Sequence, residues 1–201
     1  NHLFQTLLKG LGSDLVLADW IAQMISPSAS CLTCEDVYDA SLLGCVEGIH
    51  SGTTTMLDYM YAHPHPGLSD SVIKAFCKLK IRGIFARGMQ DSGEKFGISP
   101  KIIEDVKDIE KDCRKLFEEY HGKDNDRIHI WLAPGVVWSN SQGSLEMAWA
   151  LAQEYKTGFT IHISETPFDR RASKELHGIT DVEVLERLGI VGPNVLMVHC
   201  V

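Results

Sequence analysis

Apolar residues recur along the chain at two spacings, that of helices and that of strands. The stretch 33–50 opens with Thr33 and Asp36, a weak variant of a helix capping box. The apolar residues that follow it repeat at helical spacing: Val37, Ala40, Leu43 and Val46. The next stretch, 53–59, is β-branched and apolar and therefore predicts a strand.

The same two patterns assign most of the remaining chain. They predict further strands at 83–86, 128–132, 159–163 and 194–201, and helices at 72–79, 100–120, 145–155 and 180–188. Strands that alternate with helices imply parallel pairing, because each return to the sheet needs a crossover. No linker or low-complexity block divides the chain, and the polar residues 122–127 indicate an exposed turn. We therefore expect one domain over residues 1–201.

A parallel α/β chain can form a doubly wound sheet or a (β/α)8 barrel. The chain contains neither a GxGxxG nor a GxxxxGK[ST] phosphate-binding motif, which weakens the first alternative. A barrel places its reactive groups at the carboxyl ends of its strands. The histidines of this chain can be tested against that rule.

The composition of the chain excludes some classes of binding partner and indicates a cellular compartment. The 201 residues contain 19 Lys and Arg against 27 Asp and Glu, a formal charge of −8, which argues against a nucleic-acid or anionic-membrane surface. No stretch approaches the roughly 18 apolar residues of a membrane span, and the start Asn1-His2-Leu3-Phe4 lacks the pattern of a signal peptide. Six cysteines are too few for a disulfide scaffold. These features together predict a cytoplasmic protein.

Three histidines stand where a barrel carries its chemistry. In the strand 159–163, alternation sends Ile161 and Ile163 towards the covering helices and His162 to the other face, with Glu165 just beyond the strand. His199 ends the last predicted strand, and His2 lies at the start of the chain. Neutral imidazole is a good zinc ligand, and a nearby glutamate can move a proton from an activated water. A lone histidine at a strand end is more often a core residue, but two on consecutive strands beside a carboxylate favour a metal-dependent site.

These residues also give the sequence a family resemblance. The segments that carry it run from end to end: Asn1 to Gly10, Asp19-Trp20, Glu47 to Thr55 (EGIHSGTTT), His162 to Glu165 (HISE), His177-Gly178 and Val198-His199-Cys200. In these segments the chain resembles the amidohydrolase superfamily, and in particular the aminohydrolase branch of cytosine and guanine deaminases, S-adenosylhomocysteine deaminases and s-triazine chlorohydrolases. The resemblance implies a (β/α)8 TIM barrel that binds one divalent metal ion, zinc first, with iron or manganese as alternatives.

The resemblance also implies roles for individual residues. His2 matches the second histidine of the HxH metal pair on the first barrel strand, and His162 the metal ligand of the fifth strand. Glu165 matches the acid/base that moves a proton between water and substrate, and His199 a sixth-strand histidine that contacts the attacking water or the substrate. The residues expected to bind substrate are Gln5 and Trp20, by the resemblance, and Arg87, by its position at a strand end.

The chain departs from the family pattern in three places. The first histidine of HxH and the eighth-strand aspartate are absent, and a whole barrel needs about 250 residues. We therefore expect a partial barrel, cut inside the first strand and at the sixth, that is inactive without the remainder. The segment Ala133 to Ser139 replaces a His-containing segment associated with adenosine-type deaminases. That replacement favours an s-triazine or oxidised purine over a nucleoside.

Four other features of the sequence carry weaker functional signals. The Cys31-x-x-Cys34 pair has no second CxxC to complete a zinc site. His63-Pro64-His65 suggests a mobile loop that covers the substrate. Asp58 is interpreted either as a support for the site or as a solvated or capping residue, and His177 as shaping a loop.

The leading hypothesis is hydrolysis of a carbon–nitrogen bond other than a peptide bond, namely deamination of an aromatic N-heterocycle by the parent protein. Its partners would be a small heterocyclic substrate and water, and the protein would be a homo-oligomer. One alternative keeps the site but expels chloride or cleaves a ring amide. A second is a catalytically silent barrel with core histidines, and a third is a doubly wound ligand-binding protein in which His2, His162 and His199 do not converge.

Overall fold

The computed structural model describes residues 1–201, which build one five-stranded parallel sheet. The strands are Thr55–Met60 (β1), Arg82–Met89 (β2), Ile128–Pro134 (β3), Phe159–Ile163 (β4) and Val195–His199 (β5). Their order in the sheet is β1-β2-β3-β4-β5, and every neighbouring pair is parallel. A doubly wound sheet reverses its strand order at a switch point, and this sheet does not. The order is that of a (β/α)8 barrel, so the predicted fold class is confirmed for the part of the barrel that these residues form.

Six helices connect or precede the strands. They are Cys34–His50 (α1), Leu68–Leu79 (α2), Val106–Tyr120 (α3), Gln142–Glu154 (α4), Pro167–His177 (α5) and Asp181–Arg187 (α6). Shorter helical turns span Leu3–Leu8, Leu17–Trp20, Ile21–Ile25, Ser26–Ala29, Glu94–Phe96, Pro100–Ile102 and Val137–Ser139. None of the helices is long and apolar enough to cross a membrane.

The edge of β1 carries the start of the chain. The amino group of Asn1 donates to the carbonyl of Leu57, and the Tyr59 amide donates to the carbonyl of Asn1, at 2.9 and 2.8 Å. The chain start therefore runs beside β1, where the sequence predicts the end of a preceding strand. This placement brings His2 to the carboxyl end of the sheet.

One predicted helix begins later than its pattern suggests. Residues 100–120 predict one helix, but Pro100–Ile102 forms a separate 3-10 turn and Ile103 is extended. The long helix α3 starts at Val106, where the side chain of Asp105 caps it by accepting from the Lys107 amide at 2.8 Å. The break leaves Glu104 free to turn inward to Arg87.

Helix α5 and the turns before residue 33 were missed by the sequence prediction. Helix α5 is short of apolar residues, yet a capping box of Thr166 and Asp169 fixes its start and Pro167 occupies its first turn. The remaining differences are of length, since β2 extends from 82 to 89 rather than 83–86 and β5 ends at His199.

The main hydrophobic core lies between the sheet and its covering helices. It joins strand residues such as Phe85 and Ile161 to helix residues such as Phe76 and Leu145. Gly83 lets the ring of Phe76 lie against the sheet, because a Cβ at this glycine would lie 2.2 Å from that ring. Ile161 and Ile163 are buried on the helix side, so alternation turns His162 to the opposite face, as predicted.

Candidate functional site

A cavity of about 250 Å³ opens at the carboxyl ends of the strands. Each of the five strands contributes a residue at or just beyond its end, and the segments 17–26 and 98–102 close the sides. The polar lining is His2, Ser26, Tyr61, Gln90, Ser139, His162, Glu165 and His199. The apolar lining includes Leu17, Trp20, Ile21, Ile25, Ile98, Ile102, Val136 and Trp138.

His2 and His162 meet in the lining of this cavity. Their Nε2 atoms are 3.2 Å apart and their rings are stacked. Each Nδ1 faces a backbone carbonyl, that of Tyr59 at 2.6 Å for His2 and that of Gly135 at 3.0 Å for His162. A carbonyl only accepts, so both Nδ1 atoms carry the proton, and in the neutral rings both Nε2 atoms present a lone pair.

The lone pairs of the two Nε2 atoms point at the same position, and neither atom carries a proton that it could donate to the other. Burial, with a contribution from the neighbouring histidine, lowers the pKa of His2 to about 3. Burial lowers the pKa of His162 to about 4, so both rings are neutral near pH 7. Two nitrogens that bind one tetrahedral zinc ion at 2.0–2.1 Å lie about 3.3 Å apart. The pair therefore fits a shared divalent cation, although no group of three or more His, Cys, Asp and Glu residues in the chain is arranged to hold a metal ion.

Glu165 and His199 form a second polar pair beside the first. The Nε2 of His199 lies 3.5 Å from the Oε1 of Glu165, and the His199 ring centroid is 5.4 Å from that of His162. Burial raises the pKa of Glu165 above its ordinary value, while His199 opposes that rise. A carboxylate with a raised pKa in a cavity suits proton transfer. The three histidines and Glu165 thus converge, as the sequence predicts.

Trp20 lies where the resemblance places a pocket residue, in the lining of the cavity. The lining also includes Trp138, whose indole Nε1 donates to the Oδ1 of Asp169 at 2.9 Å. Trp138 was not identified from the sequence, although it lies four residues beyond β3, at the end of the strand where a barrel carries its chemistry.

Gln5 stands one layer behind the cavity. Its Nε2 donates to the hydroxyl of Tyr61 at 2.5 Å, and it is Tyr61 that lines the cavity. Gln5 itself is not part of the cavity lining, and it contacts the lining through the Tyr61 hydroxyl. Tyr61, two residues after Tyr59 at the end of β1, was not identified from the sequence.

Arg87 lies outside the cavity, contrary to its predicted role in binding substrate. Its guanidinium is 2% exposed and bonds Glu104 through two nitrogens, at 2.7 and 3.0 Å, and Asp112 at 2.8 Å. It also bonds the Nδ1 of His63 at 3.0 Å. With its donors committed to this buried ion cluster, Arg87 has none directed at a substrate. The strand-end rule located the residue but could not tell which way it faces.

The loop 63–65, which the sequence suggests is a mobile cover over the substrate, is held in place by hydrogen bonds. His63 is buried between Arg87 and Ser69, and His65 bonds the carbonyls of Leu32 and Pro66, at 2.8 and 3.0 Å. These contacts anchor the loop.

The other minor features take structural places. Asp58 is fully buried and accepts the Leu3 amide at 2.6 Å, which holds the backbone next to His2. Cys31 and Cys34 are free thiols. His177 bonds the carbonyl of Val137 at 3.1 Å and so ties the end of α5 to the turn after β3.

Comparisons with known proteins agree with this geometry. The sequence profile of the amidohydrolase family matches residues 1–201. The chain is 34% identical over 201 residues to a 5-methylthioadenosine/S-adenosylhomocysteine deaminase of Thermoanaerobacter pseudethanolicus. It is 36% identical over 202 residues to a 5'-deoxyadenosine deaminase of Methanobrevibacter smithii. Each match covers 100% of this chain and 43% of the relative, so the chain spans less than half the length of these relatives.

A solved structure shares the fold. The mutant atrazine chlorohydrolase from Arthrobacter aurescens TC1, complexed with zinc and atraton, superposes with a TM-score of 0.91 at 22% identity. That match covers 100% of this chain and 47% of the other. The curated relatives are named as deaminases of 5-methylthioadenosine and S-adenosylhomocysteine and of 5'-deoxyadenosine.

Proposed function

Because this chain belongs to the amidohydrolase family, we propose that the whole protein deaminates an aromatic N-heterocycle by hydrolysis. The observation that carries the proposal is the convergence of His2, His162, Glu165 and His199 in one cavity with an apolar wall. The remainder of the barrel would complete the ligand set that these residues begin.

His2 and His162 would hold the metal ion through their Nε2 atoms. When bound, a divalent ion acts as a Lewis acid and lowers the pKa of a coordinated water towards 7. Zinc is the first candidate because two neutral imidazoles suit it, and it is present in the chlorohydrolase that shares the fold. Iron and manganese accept the same ligands and stay alternatives.

Glu165 would carry protons through the reaction. Its carboxylate accepts a proton from the attacking water and delivers it to a ring nitrogen as the oxygen bonds to the ring carbon. The carbon–nitrogen bond to the exocyclic amine then breaks, and the amine leaves as ammonia once it has received the second proton of the water through the same carboxylate. The raised pKa of Glu165 suits it to both directions of transfer.

His199 would steady the charge that develops during this transfer. It lies within 3.5 Å of Glu165, and its imidazole can donate to the oxygen that is being added to the ring. The flat rings of Trp20, Tyr61 and Trp138 would flank the heterocycle, and Ile98 and Ile102 would pack against its substituent.

The substrate we propose first is an adenine nucleoside with an apolar 5' substituent. Two observations favour it, the names of the curated relatives and the apolar side of the cavity. The runner-up keeps the same site but releases chloride from an s-triazine or opens a ring amide.

The test is ammonia release by the whole, zinc-loaded protein. The panel contains 5'-deoxyadenosine, 5'-methylthioadenosine, guanine, cytosine and a chlorinated s-triazine, with chloride measured in parallel. Ammonia from one of the first four supports deamination, and chloride without ammonia supports the runner-up. Neither product from any compound, with zinc bound, contradicts the proposal.

Replacing Glu165 by Gln tests its role directly. The amide keeps the shape of the side chain but cannot accept a proton, so turnover should fall at least about 100-fold. Zinc content should stay unchanged, because Glu165 is not one of the residues proposed to hold the ion. Normal turnover in the Glu165→Gln protein would exclude the proton-transfer role.

A further inference from the structure

The residues on either side of Glu165 are each bound by a buried aspartate. Before it, Ser164 donates its amide and its hydroxyl to the Oδ2 of Asp181, at 2.7 and 3.2 Å. After it, Thr166 donates its amide and its hydroxyl to the Oδ2 of Asp169, at 2.7 and 3.1 Å. Glu165 thus sits at the centre of a three-residue segment that is fixed at both ends.

The conformation of this segment needs such a constraint. Ser164 has a φ of 48°, in the left-handed region that non-glycine residues seldom adopt. A residue held there is strained, and the conformation persists only when its surroundings enforce it. The short bond from the Ser164 amide to a carboxylate is the charge-assisted kind that can do so. Without it, the chain would relax and re-aim the Glu165 side chain.

Both aspartates are committed to these contacts. Asp169 and Asp181 are 2% and 4% exposed, and neither is paired with a Lys or Arg side chain. A buried carboxylate without a cation is costly unless N–H and O–H donors satisfy it. Here those donors come from the backbone and hydroxyls next to Glu165.

Helix capping accounts for Asp169 but not for Asp181. The start of α6 is already closed by a capping box of Thr180 and Glu183, so the Asp181 carboxylate is not needed there. Asp169 caps α5 through Thr166 and, through its other oxygen, accepts the indole of Trp138. The same carboxylate therefore links the Glu165 segment to the apolar wall of the cavity.

We propose that Asp181 is a positioning residue for Glu165, and that Asp169 positions both Glu165 and Trp138. This inference rests on the proposed proton-transfer role of Glu165. The two aspartates should have different effects. Asp181 acts on the chemical step alone, whereas Asp169 acts on the chemical step and on substrate binding.

The test compares single and double variants of the whole, zinc-loaded protein. Asp181→Ala should lower kcat by about 10- to 100-fold, as expected for a displaced reactive group, with KM and zinc content unchanged. Asp181→Asn keeps an oxygen acceptor and should recover part of the loss. Combining Asp181→Ala with Glu165→Gln should be no slower than Glu165→Gln alone, because both changes act through one side chain.

Asp169→Ala should lower kcat, raise KM and shift the tryptophan fluorescence, because Trp138 loses its partner. The matched control for Asp181→Ala is Glu183→Ala, which removes the carboxylate half of the capping box of the same helix, α6, without touching Ser164. It should lower Tm and leave kcat unchanged.

Each outcome decides a separate point. A kcat within twofold of the parent in Asp181→Ala, or additive losses in the double variant, overturns the inference. If Glu165→Gln itself keeps full turnover, the proposed function fails first. If Asp181→Ala does not fold, Asp181→Asn decides in its place: an unchanged kcat overturns the inference, and a lowered kcat that is not additive with Glu165→Gln supports it.

Discussion

His63 is a neutral histidine inside a buried ion cluster. Its Nδ1 can only accept from Arg87, because a guanidinium has no acceptor, so its Nε2 carries the proton and faces the hydroxyl of Ser69 at 3.1 Å. Burial, and then the charge of Arg87, lower its pKa well below 6.5. Glu104, 3.8 Å away, does not reverse this, since both of its oxygens bond Arg87.

Replacing His63 by Asn should make the free energy of unfolding fall less steeply as the pH is lowered. Below pH about 6.5 the unfolded histidine binds a proton that the folded one does not, so stability present above this pH is lost as the pH falls. The slope for one such group is about 1.4 kcal/mol per pH unit. Asn keeps an acceptor for Arg87 and does not titrate, so the dependence on pH should lessen by up to that amount.

The measurement is the free energy of unfolding of the whole protein between pH 4.5 and 7.5. Replacing the exposed His50 by Asn provides the control, which should keep the parental slope. An unchanged slope in the His63→Asn protein would mean that folding does not lower the pKa of His63.

At this scale the sequence predicts the residues that regular structure places. Strand alternation and the strand-end rule bring His162, Glu165 and His199 together correctly, because both follow from backbone geometry. The same rule misplaces Arg87, because its partner Glu104 lies in the break between Pro100–Ile102 and α3, and the continuous apolar pattern of 100–120 conceals that break. Trp138 and Tyr61 were missed because each follows its strand in a segment without a repeating pattern.

At the scale of elements, caps decide where helices begin. The box of Thr33 and Asp36 was visible in the sequence and starts α1. An equivalent box of Thr166 and Asp169 starts α5, but its helix has so few apolar residues that the periodic signal is weak. In the stretch 100–120 the pattern is continuous, and only the cap at Asp105 shows that two elements are present.

Gly88 tests the fit between neighbouring strands. A Cβ at this position in β2 would lie 2.1 Å from the carbonyl oxygen of Met60 at the end of β1, so Gly88→Ala must push two backbones apart. We expect a loss of at least about 2 kcal/mol, typical of overpacking against a rigid neighbour. Thermal and denaturant unfolding of the whole protein would measure it.

The control for this change is Gly143→Ala in the first turn of α4. A Cβ there meets nothing nearer than the Ser141 hydroxyl at 3.8 Å, and alanine favours a helix over glycine by up to about 1 kcal/mol. That variant should be neutral or stabilised. Equal effects of the two substitutions would mean that Gly88 is not kept small by its neighbour.

For the whole molecule, the alternation of strands and helices was enough to predict the parallel sheet and its class. That alternation was not enough to predict which apolar side chains are buried by neighbouring elements. Leu43 and Val46 continue the helical repeat of Val37 and Ala40, yet they are 42% and 37% exposed, whereas the earlier two are buried. Leu196 and Met197 of β5 are also exposed. Periodicity identifies an apolar face, but only packing shows how far the cover over that face extends.

The metal proposal makes its own prediction at this scale. The lone pairs of two neutral imidazoles whose Nε2 atoms are 3.2 Å apart repel each other unless a cation lies between them. An ion that binds the folded state alone stabilises it by about 2.7 kcal/mol at 100 times its dissociation constant. Chelation should therefore lower the Tm of the whole, zinc-loaded protein, and added zinc should restore it. The His162→Ala protein removes one of the two ligands, so its Tm should no longer respond to chelator. If the parent contains no zinc and its Tm is indifferent to chelation, the histidines are core residues of a catalytically silent barrel.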